Sequence, residues 1–230
     1  RGGGPGRGGG GGAGDRAGVR RHVSYALRTS AAAVVPAACS LLALAVPLMT
    51  VVFRYGATTG DDIRAMSWTL MAFAPGLVAL SGQYVCTRAF YALRDTRTPF
   101  FLNLVIAALN AGLSLTAYHV LPTRWAVTGM AAAYSLALWA GWAVTAYALR
   151  RRLGGASGGA FPALARLLVA AVPAAGYGLF VADGTAVAGP VVAGLAGAAT
   201  ILATFALLAR PLRLTELQTL LTSARTRLRP

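Results

Sequence analysis

Six apolar runs partition this chain, and each is long enough to cross a hydrocarbon layer of about 30 Å at ~1.5 Å of helix rise per residue. They are Ser30 to Phe53, Ala65 to Thr87, Phe100 to Val120, Ala126 to Leu149, Phe161 to Ala182 and Thr185 to Ala209. No charge sits in the middle of any of them; Arg166 lies near one end of the fifth, where its long stem can carry the guanidinium to the interface. An arginine at mid-membrane costs about 2.5 to 3.5 kcal/mol on insertion scales, so uncharged middles are what spanning segments require. Inside hydrocarbon every backbone N–H and C=O must be satisfied within the protein, and a helix does this segment by segment. The chain therefore reads as an all-α, polytopic membrane protein with six transmembrane helices. Its 57% hydrophobic and 12% charged residues, with mean hydropathy +0.62, lie far outside the range of a soluble domain.

A net charge of +15 and a pI near 11.4 would point to nucleic acid in a soluble chain. Here the arginines sit in short loops between spans and form no continuous basic face, so nucleic acid is excluded as a partner. All 21 basic residues are Arg and none is Lys, which reads as the mark of a high-GC, actinobacterium-like genome. If the segment before the first span is cytoplasmic, eighteen arginines fall on the inner side, and the outer loops hold only Arg54, Arg64 and Arg124. That asymmetry predicts a multi-pass protein of the cytoplasmic membrane with both termini cytoplasmic.

Between and beyond the spans the composition changes. Residues 1–14 are a Gly/Arg-rich segment that cannot build a core and is expected to be disordered. Residues 15–29 carry Val19, Val23, Ala26 and Leu27 at helical spacing among Arg16, Arg20, Arg21 and Arg28, the pattern of a basic amphipathic helix on the inner surface. Residues 30–149 hold four spans, 150–160 form an Arg/Gly loop and 161–209 hold two more spans. Residues 210–230 read as a basic amphipathic tail, with Leu214, Leu217, Leu221 and Leu228 on one face, resting on anionic membrane lipids. The chain opens on Arg1 rather than Met and shows no apolar leader, which reads as a fragment or a processed piece.

Prolines and glycines mark where the spans depart from plain helix. Pro36 and Pro47 in the first, Pro75-Gly76 in the second and Pro173 with Gly176 and Gly178 in the fifth are expected to bend or open the helices, as packing kinks or as hinges. Gly189, Ala193 and Gly197 repeat every four positions in the sixth, a face for close helix contact. Cys39 and Cys86 lie inside spans without paired spacing and read as small core residues.

The groups needed for bond chemistry are sparse. His22 and His119 fall on opposite sides of the membrane, and the six carboxylates all lie in loops or tails, so no acid and base converge within the bilayer. Asp61-Asp62 in the first outer loop reads as a solvated face rather than a cation site. There is no Gly-x4-Gly-Lys loop, and no lysine to complete one. The chain is accordingly read as not an enzyme, with no cofactor and no metal. What remains are uncharged polar groups in the spans. Asn103, Asn110 and Ser114 are spaced by seven and four residues along one side of the third span and are expected to face other helices rather than lipid. They serve either interhelical hydrogen bonding or a transport cavity. Gln83 and Tyr84 in the second span and Tyr134 in the fourth are further cavity candidates.

The densest charge between two spans lies in the run FYALRDTRTP (Phe90 to Pro99), just after Arg88. Thr98-Pro99 supplies an N-cap hydroxyl and a proline suited to a first helical turn, so the third span is predicted to start there. Asp95, among Arg88, Arg94 and Arg97, is expected to pair with one of those guanidinium groups. This run, with Asn110 eleven residues beyond it, resembles the loop-and-helix signature of the MurJ/MviN family of lipid II flippases; the matching loop positions are Arg88, Tyr91, Arg94, Asp95, Arg97, Thr98 and Pro99. Segments Ala13 to Ser30 and Val51 to Ala57 are similar to those flanking the preceding span in that family, and the likeness extends to about Gly155.

The resemblance implies the C-terminal part of a two-lobed MATE-like transporter. The first four spans would belong to its second lobe, and the last two would form a groove for a lipid tail. It implies a flippase of lipid II or a similar polyprenyl-diphosphate lipid, working by alternating access in peptidoglycan biosynthesis. The family's cavity arginines would lie mainly in an N-terminal lobe outside these residues, so this stretch alone is expected to flip nothing. Some relatives are thought to bind sodium through a carboxylate one turn after the asparagine; Ser114 stands at that distance here, which weakens a sodium site. Two alternatives stay open: a related exporter of another polyprenyl-linked glycan or a drug, and a membrane scaffold that recruits cell-wall synthesis proteins through its basic tails.

Overall fold

The structure, a computed structural model, describes residues 11–54, 57–154, 160–185, 187 and 189–209, with only the backbone described for 11–17, 160–164 and 209. Seven helices follow one another: α1 (Gly11–Ala43), α2 (Ala45–Phe53), α3 (Gly60–Ala92), α4 (Arg97–Val120), α5 (Thr123–Arg152), α6 (Ala160–Gly184) and α7 (Pro190–Ala209). Six stretches are long and apolar enough to cross a membrane, one in each helix except the short α2. The chain is a multi-pass membrane protein.

The segment expected as a separate surface helix, residues 15–29, is continuous with the first span, and Gly11 to Gly14, expected to be disordered, form the opening turn of the same helix. Arginines at 20, 21 and 28 did not break the helix because Val23 and Leu27 on its other face are buried against α3 and α5, with Phe90 and Leu149 in the same cluster. The first span breaks later, at Leu44. Pro47 has no N–H to offer the carbonyl of Ala43, four residues back, and α1 ends at that residue before α2 resumes. The expected C-terminal amphipathic tail, residues 210–230, most of the Arg/Gly loop of 150–160 and residues 1–10 lie outside the described residues.

The helices pack as two sets. α3 and α5 make the most intimate pair, and α4 lies against α5 while barely touching α3. α6 and α7 form a second close pair, and α1 joins the two sets by packing on both α3 and α6. Between membrane helices there is no hydrophobic driving force relative to lipid tails, so contact depends on how closely surfaces approach. Glycines set that approach. Gly178 on α6 and Gly197 on α7 face each other so tightly that a Cβ on Gly178 would lie 2.8 Å from the Gly197 carbonyl oxygen and 2.2 Å from Ile201 Cγ1. Ala193 is buried in the same helix pair, whereas Gly189, expected to continue that face, lies before α7 with φ +105° and takes no part in it.

Pro75 does not break α3, which runs through it. The surrounding carbonyls are taken up by α5: Ser135 Oγ donates to the Ala72 carbonyl at 2.6 Å, with Phe73's at 3.2 Å, and Trp139 Nε1 donates to that of Pro75 at 3.1 Å. Gly76 lets Ser135 come this near, since a Cβ there would lie 2.8 Å from its hydroxyl. Six residues on, the Trp142 ring lies over Gly82. Of the two sequence readings of Pro75, packing kink or hinge, these contacts favour the first. Pro36 and Pro173 likewise lie inside continuous helices.

These contacts predict opposite outcomes for two glycines. Gly178→Val should push α6 from α7 and cost about 1–3 kcal/mol of stability by overpacking. Gly112→Ala, on an open face with nothing within 4 Å, should be neutral or gain up to about 1 kcal/mol of helix propensity. Thermal unfolding of both variants in one detergent checks the pair.

Candidate functional site

Two groups of side chains were singled out in the sequence: the loop between α3 and α4, and a polar line on α4. The loop is short because α3 ends in a tight reversal. Asp95 N–H bonds to the Phe90 carbonyl at 3.0 Å and Arg94 N–H to that of Tyr91 at 2.9 Å, the paired bonds of a Schellman motif. Arg94 occupies its left-handed position, φ 57°, where glycine is usual. The side chain sacrifices backbone comfort to turn the chain within a few residues.

Asp95 then opens α4. Its carboxylate accepts from Thr98 N–H at 3.0 Å and Thr98 Oγ1 at 2.7 Å, so the capping group is Asp95 and not the Thr98 hydroxyl expected from the sequence. Pro99 follows in the first turn, fully buried. The carboxylate's guanidinium partner is also different from expectation. It is Arg152, at 3.0 Å from the end of α5, and not Arg88, Arg94 or Arg97. The reason is geometric: the reversal sends the Asp95 side chain toward the new helix, where the C-terminus of α5 arrives. The hydrogen bonds from Thr98, reinforced by the Arg152 guanidinium, hold the Asp95 carboxyl below the usual carboxylate range. Next to this pair Arg151 lies over the Tyr147 ring at 5.1 Å. Arg88, Tyr91 and Arg97 are exposed around the loop. Arg152 was legible only as one of three consecutive arginines, though the topology already put it on the same side of the bilayer as Asp95.

The polar line on α4 lies along one side of the helix, beside its contact with α5. The apolar window of α4 has none of its residues buried, and its contacts are almost all with α5. Asn103, exposed, reaches α3 through a long 3.5 Å contact from Gln83 Nε2, and Asn110 and Ser114 are half-buried on the side of α4 where Ile106 and Ala117 pack on α5. Asn110 and Ser114 bond to each other, Ser114 Oγ donating to Asn110 Oδ1 at 3.3 Å, along their own helix. Gln83 itself is buried, and its Oε1 has no hydrogen-bond partner among the described residues. Tyr84, the next residue, turns outward and is exposed. Tyr134 stacks on Phe73 with ring centroids 5.4 Å apart, in the α3–α5 contact. The arrangement is a row of neutral donors and acceptors along the flank of the α4–α5 contact, suited to hydrogen-bonding a polar group or water.

At the opposite end, Thr59 and Asp62 form a reciprocal capping box at the start of α3, and Asp61 pairs with Arg64 at 3.7 Å. The adjacent acids are occupied in starting a helix. Among the described residues no group of three or more His, Cys, Asp or Glu could hold a metal ion. Cys39 and Cys86 are buried and free. A long apolar groove of about 550 Å³ runs between α1–α2 and α7, lined by Leu41, Leu44, Leu48, Val191, Leu195 and Leu202. It does not lie between α6 and α7, which the Gly178–Gly197 contact closes.

The family described as lipid II flippase MurJ matches residues 12–208. A probable lipid II flippase MurJ of Thermotoga maritima is 31% identical over 106 residues, covering 46% of this chain and 22% of that protein. The lipid II flippase MurJ of Thermosipho africanus is 26% identical over 123 residues, covering 54% and 25%. Among solved structures, a lipid II flippase MurJ in an inward closed conformation aligns with TM-score 0.65 and 20% identity over 87% of this chain and 41% of that one. The fold is therefore that of the MurJ transporters, and the chain matches about a quarter or less of the length of these two curated relatives.

Two consequences can be measured on the loop. Because the folded Asp95 carboxyl lies below its unfolded value of about 3.9, its contribution is complete above that pH and is lost as pH falls through the folded value. The melting temperature of the wild type should fall over that range, and the fall should be smaller in Asp95→Asn. Arg94→Gly should raise stability by about 1 kcal/mol by removing the left-handed penalty, with Arg94→Val having the reverse effect.

Proposed function

The chain belongs to the lipid II flippase MurJ family, and from that premise we propose that it is the C-terminal part of a flippase carrying a polyprenyl-diphosphate-linked peptidoglycan precursor across the cytoplasmic membrane. The observation that carries the reading is the family match over residues 12–208, nearly the whole span of described helices. The geometry supports it in three ways. α4 carries Asn103, Asn110 and Ser114 along one flank of its contact with α5, Asn103 exposed and the other two half-buried, as the edge of a cavity would. The groove between α1–α2 and α7 is wholly aliphatic at its lining leucines and valines, suited to a polyprenyl tail. The described helices offer neutral hydrogen-bonding groups and no reactive cluster, consistent with moving a substrate intact rather than altering it.

In this reading the headgroup enters a cavity open to the cytoplasm, the helices rearrange, and the headgroup leaves outward while the tail remains in lipid. α4 and α5 would move together, since α4 rests on α5 and Asp95 is bonded to Arg152. Both termini are cytoplasmic, with the loop of Arg88, Arg94 and Arg97 and the end of α5 at Arg150 to Arg152 on the inner side. The whole transporter comprises further helices that complete the cavity, and residues 1–230 alone do not translocate the headgroup. Anionic lipids surround the arginine-rich face, and cell-wall synthesis proteins are candidate neighbours.

Depletion of the full-length protein that carries this chain should accumulate lipid II on the inner leaflet, read by protection of its headgroup from an externally added hydrolase. Accumulation of a different polyprenyl-linked glycan would instead identify an exporter of that lipid. Loss of function on deleting Leu214 to Pro230 with lipid II transport intact would identify a scaffold.

A further inference from the structure

A second cavity lies at the arginine-rich end, away from the α4 face and the α7 groove. It has a volume of about 540 Å³ and opens between the start of α1 and the end of α3. Its floor is apolar: Val19, Val23, Ala26, Val85 and Ala89, with Val23 and Ala89 buried in the cluster that ties α1 to α3 and α5. Among the described lining residues the ionisable ones are His22 and Arg88, both exposed. One turn of α1 contributes His22 and one turn of α3 contributes Arg88, so two donors from different helices flank one opening.

We propose that this cavity is a binding site for an anionic phospholipid of the leaflet at the arginine-rich end, its phosphodiester held by Arg88 and His22 and the upper part of an acyl chain lying on the apolar floor. Charge complementarity favours an anion, because the described residues at the opening supply a guanidinium and an imidazole from two helices. The floor then selects an amphiphile over a free ion, since inorganic phosphate would leave those valines and alanines uncovered. The site is separate from the transported substrate, because it faces the α1–α3 seam and not the polar line of α4. Occupancy would bridge α1 to α3 at this gap in their seam, fixing the helix that joins the two packed sets.

Native mass spectrometry of the 230-residue chain, released from nanodiscs of phosphatidylcholine containing phosphatidylglycerol, tests this. The wild type should retain one phosphatidylglycerol in preference to phosphatidylcholine. Arg88→Gln should weaken that retention by about five-fold, the equivalent of roughly 1 kcal/mol for one interfacial cation. Arg88→Lys should recover most of it, and Ala26→Trp, which fills the floor while keeping both donors, should abolish it. Arg150→Gln, outside the cavity, should leave it unchanged. Equal retention of the two lipids, equal loss in Arg88→Gln and Arg150→Gln, unaltered retention in Ala26→Trp, or displacement by millimolar inorganic phosphate would overturn the proposal.

Discussion

Close approach of helix backbones is the interaction on which the rest of this structure depends. Lipid tails are as apolar as leucine, so these helices gain little from hiding apolar surface and much from packing without gaps. The contacts that permit it are few. Gly76 admits the Ser135 hydroxyl to α3, Gly82 admits the Trp142 ring and Gly178 meets Gly197 across α6 and α7. Where backbone comes this near, hydroxyl and indole donors reach carbonyls of the neighbouring helix around its proline, as at Ala72 and Pro75. The α3–α5 pair is the result, and it is the frame on which the loop, the polar line and the α1 seam are all hung.

The loop after α3 shows how that frame fixes polar detail. α3 and α5 run parallel, one span apart, so their C-terminal ends arrive side by side next to the start of α4. Asp95 can then serve two helices at once, capping α4 through Thr98 and holding α5 through Arg152. A carboxylate at a helix N-terminus is favourable by itself, and a guanidinium from a second helix makes the same group a joint. Arg94 accepts a left-handed backbone so that this happens within a few residues.

The spans were legible because hydropathy and arginine placement are properties of composition along the chain. Local chemistry was legible too: the turn at Thr98-Pro99 and the break near Pro47 follow from what each residue can do to its own backbone. What could not be read were outcomes decided by a second helix. Arg152 was one arginine among three until α5 brought it to Asp95. Pro75 could be read as a packing kink or a hinge, because Ser135, sixty residues away, was invisible as its partner. Residues 15–29 looked like a surface helix because their apolar positions fit an interface as well as they fit α3. Gly189 fitted a four-residue repeat that the helix boundary cuts off, and the bond that Ser114 makes to Asn110 within its own helix could not be told from one to a neighbour.

The solitary position of α4 has a consequence for how the chain enters the membrane. Segments leave the insertion machinery in order, and α4 emerges with almost nothing on α3 to lean against. Until α5 follows, its polar side chains face hydrocarbon or the machinery itself. Part of the remedy is built into the helix: Thr116 Oγ1 donates to the Gly112 carbonyl at 2.8 Å and Ser114 to Asn110, so these hydroxyl protons are spoken for without any neighbour. Asn103 and Asn110 keep their amide protons for later. α4 is thus a segment that can wait in lipid before its partner arrives, and the same self-sufficiency leaves one of its faces unclaimed when assembly of these seven helices is complete.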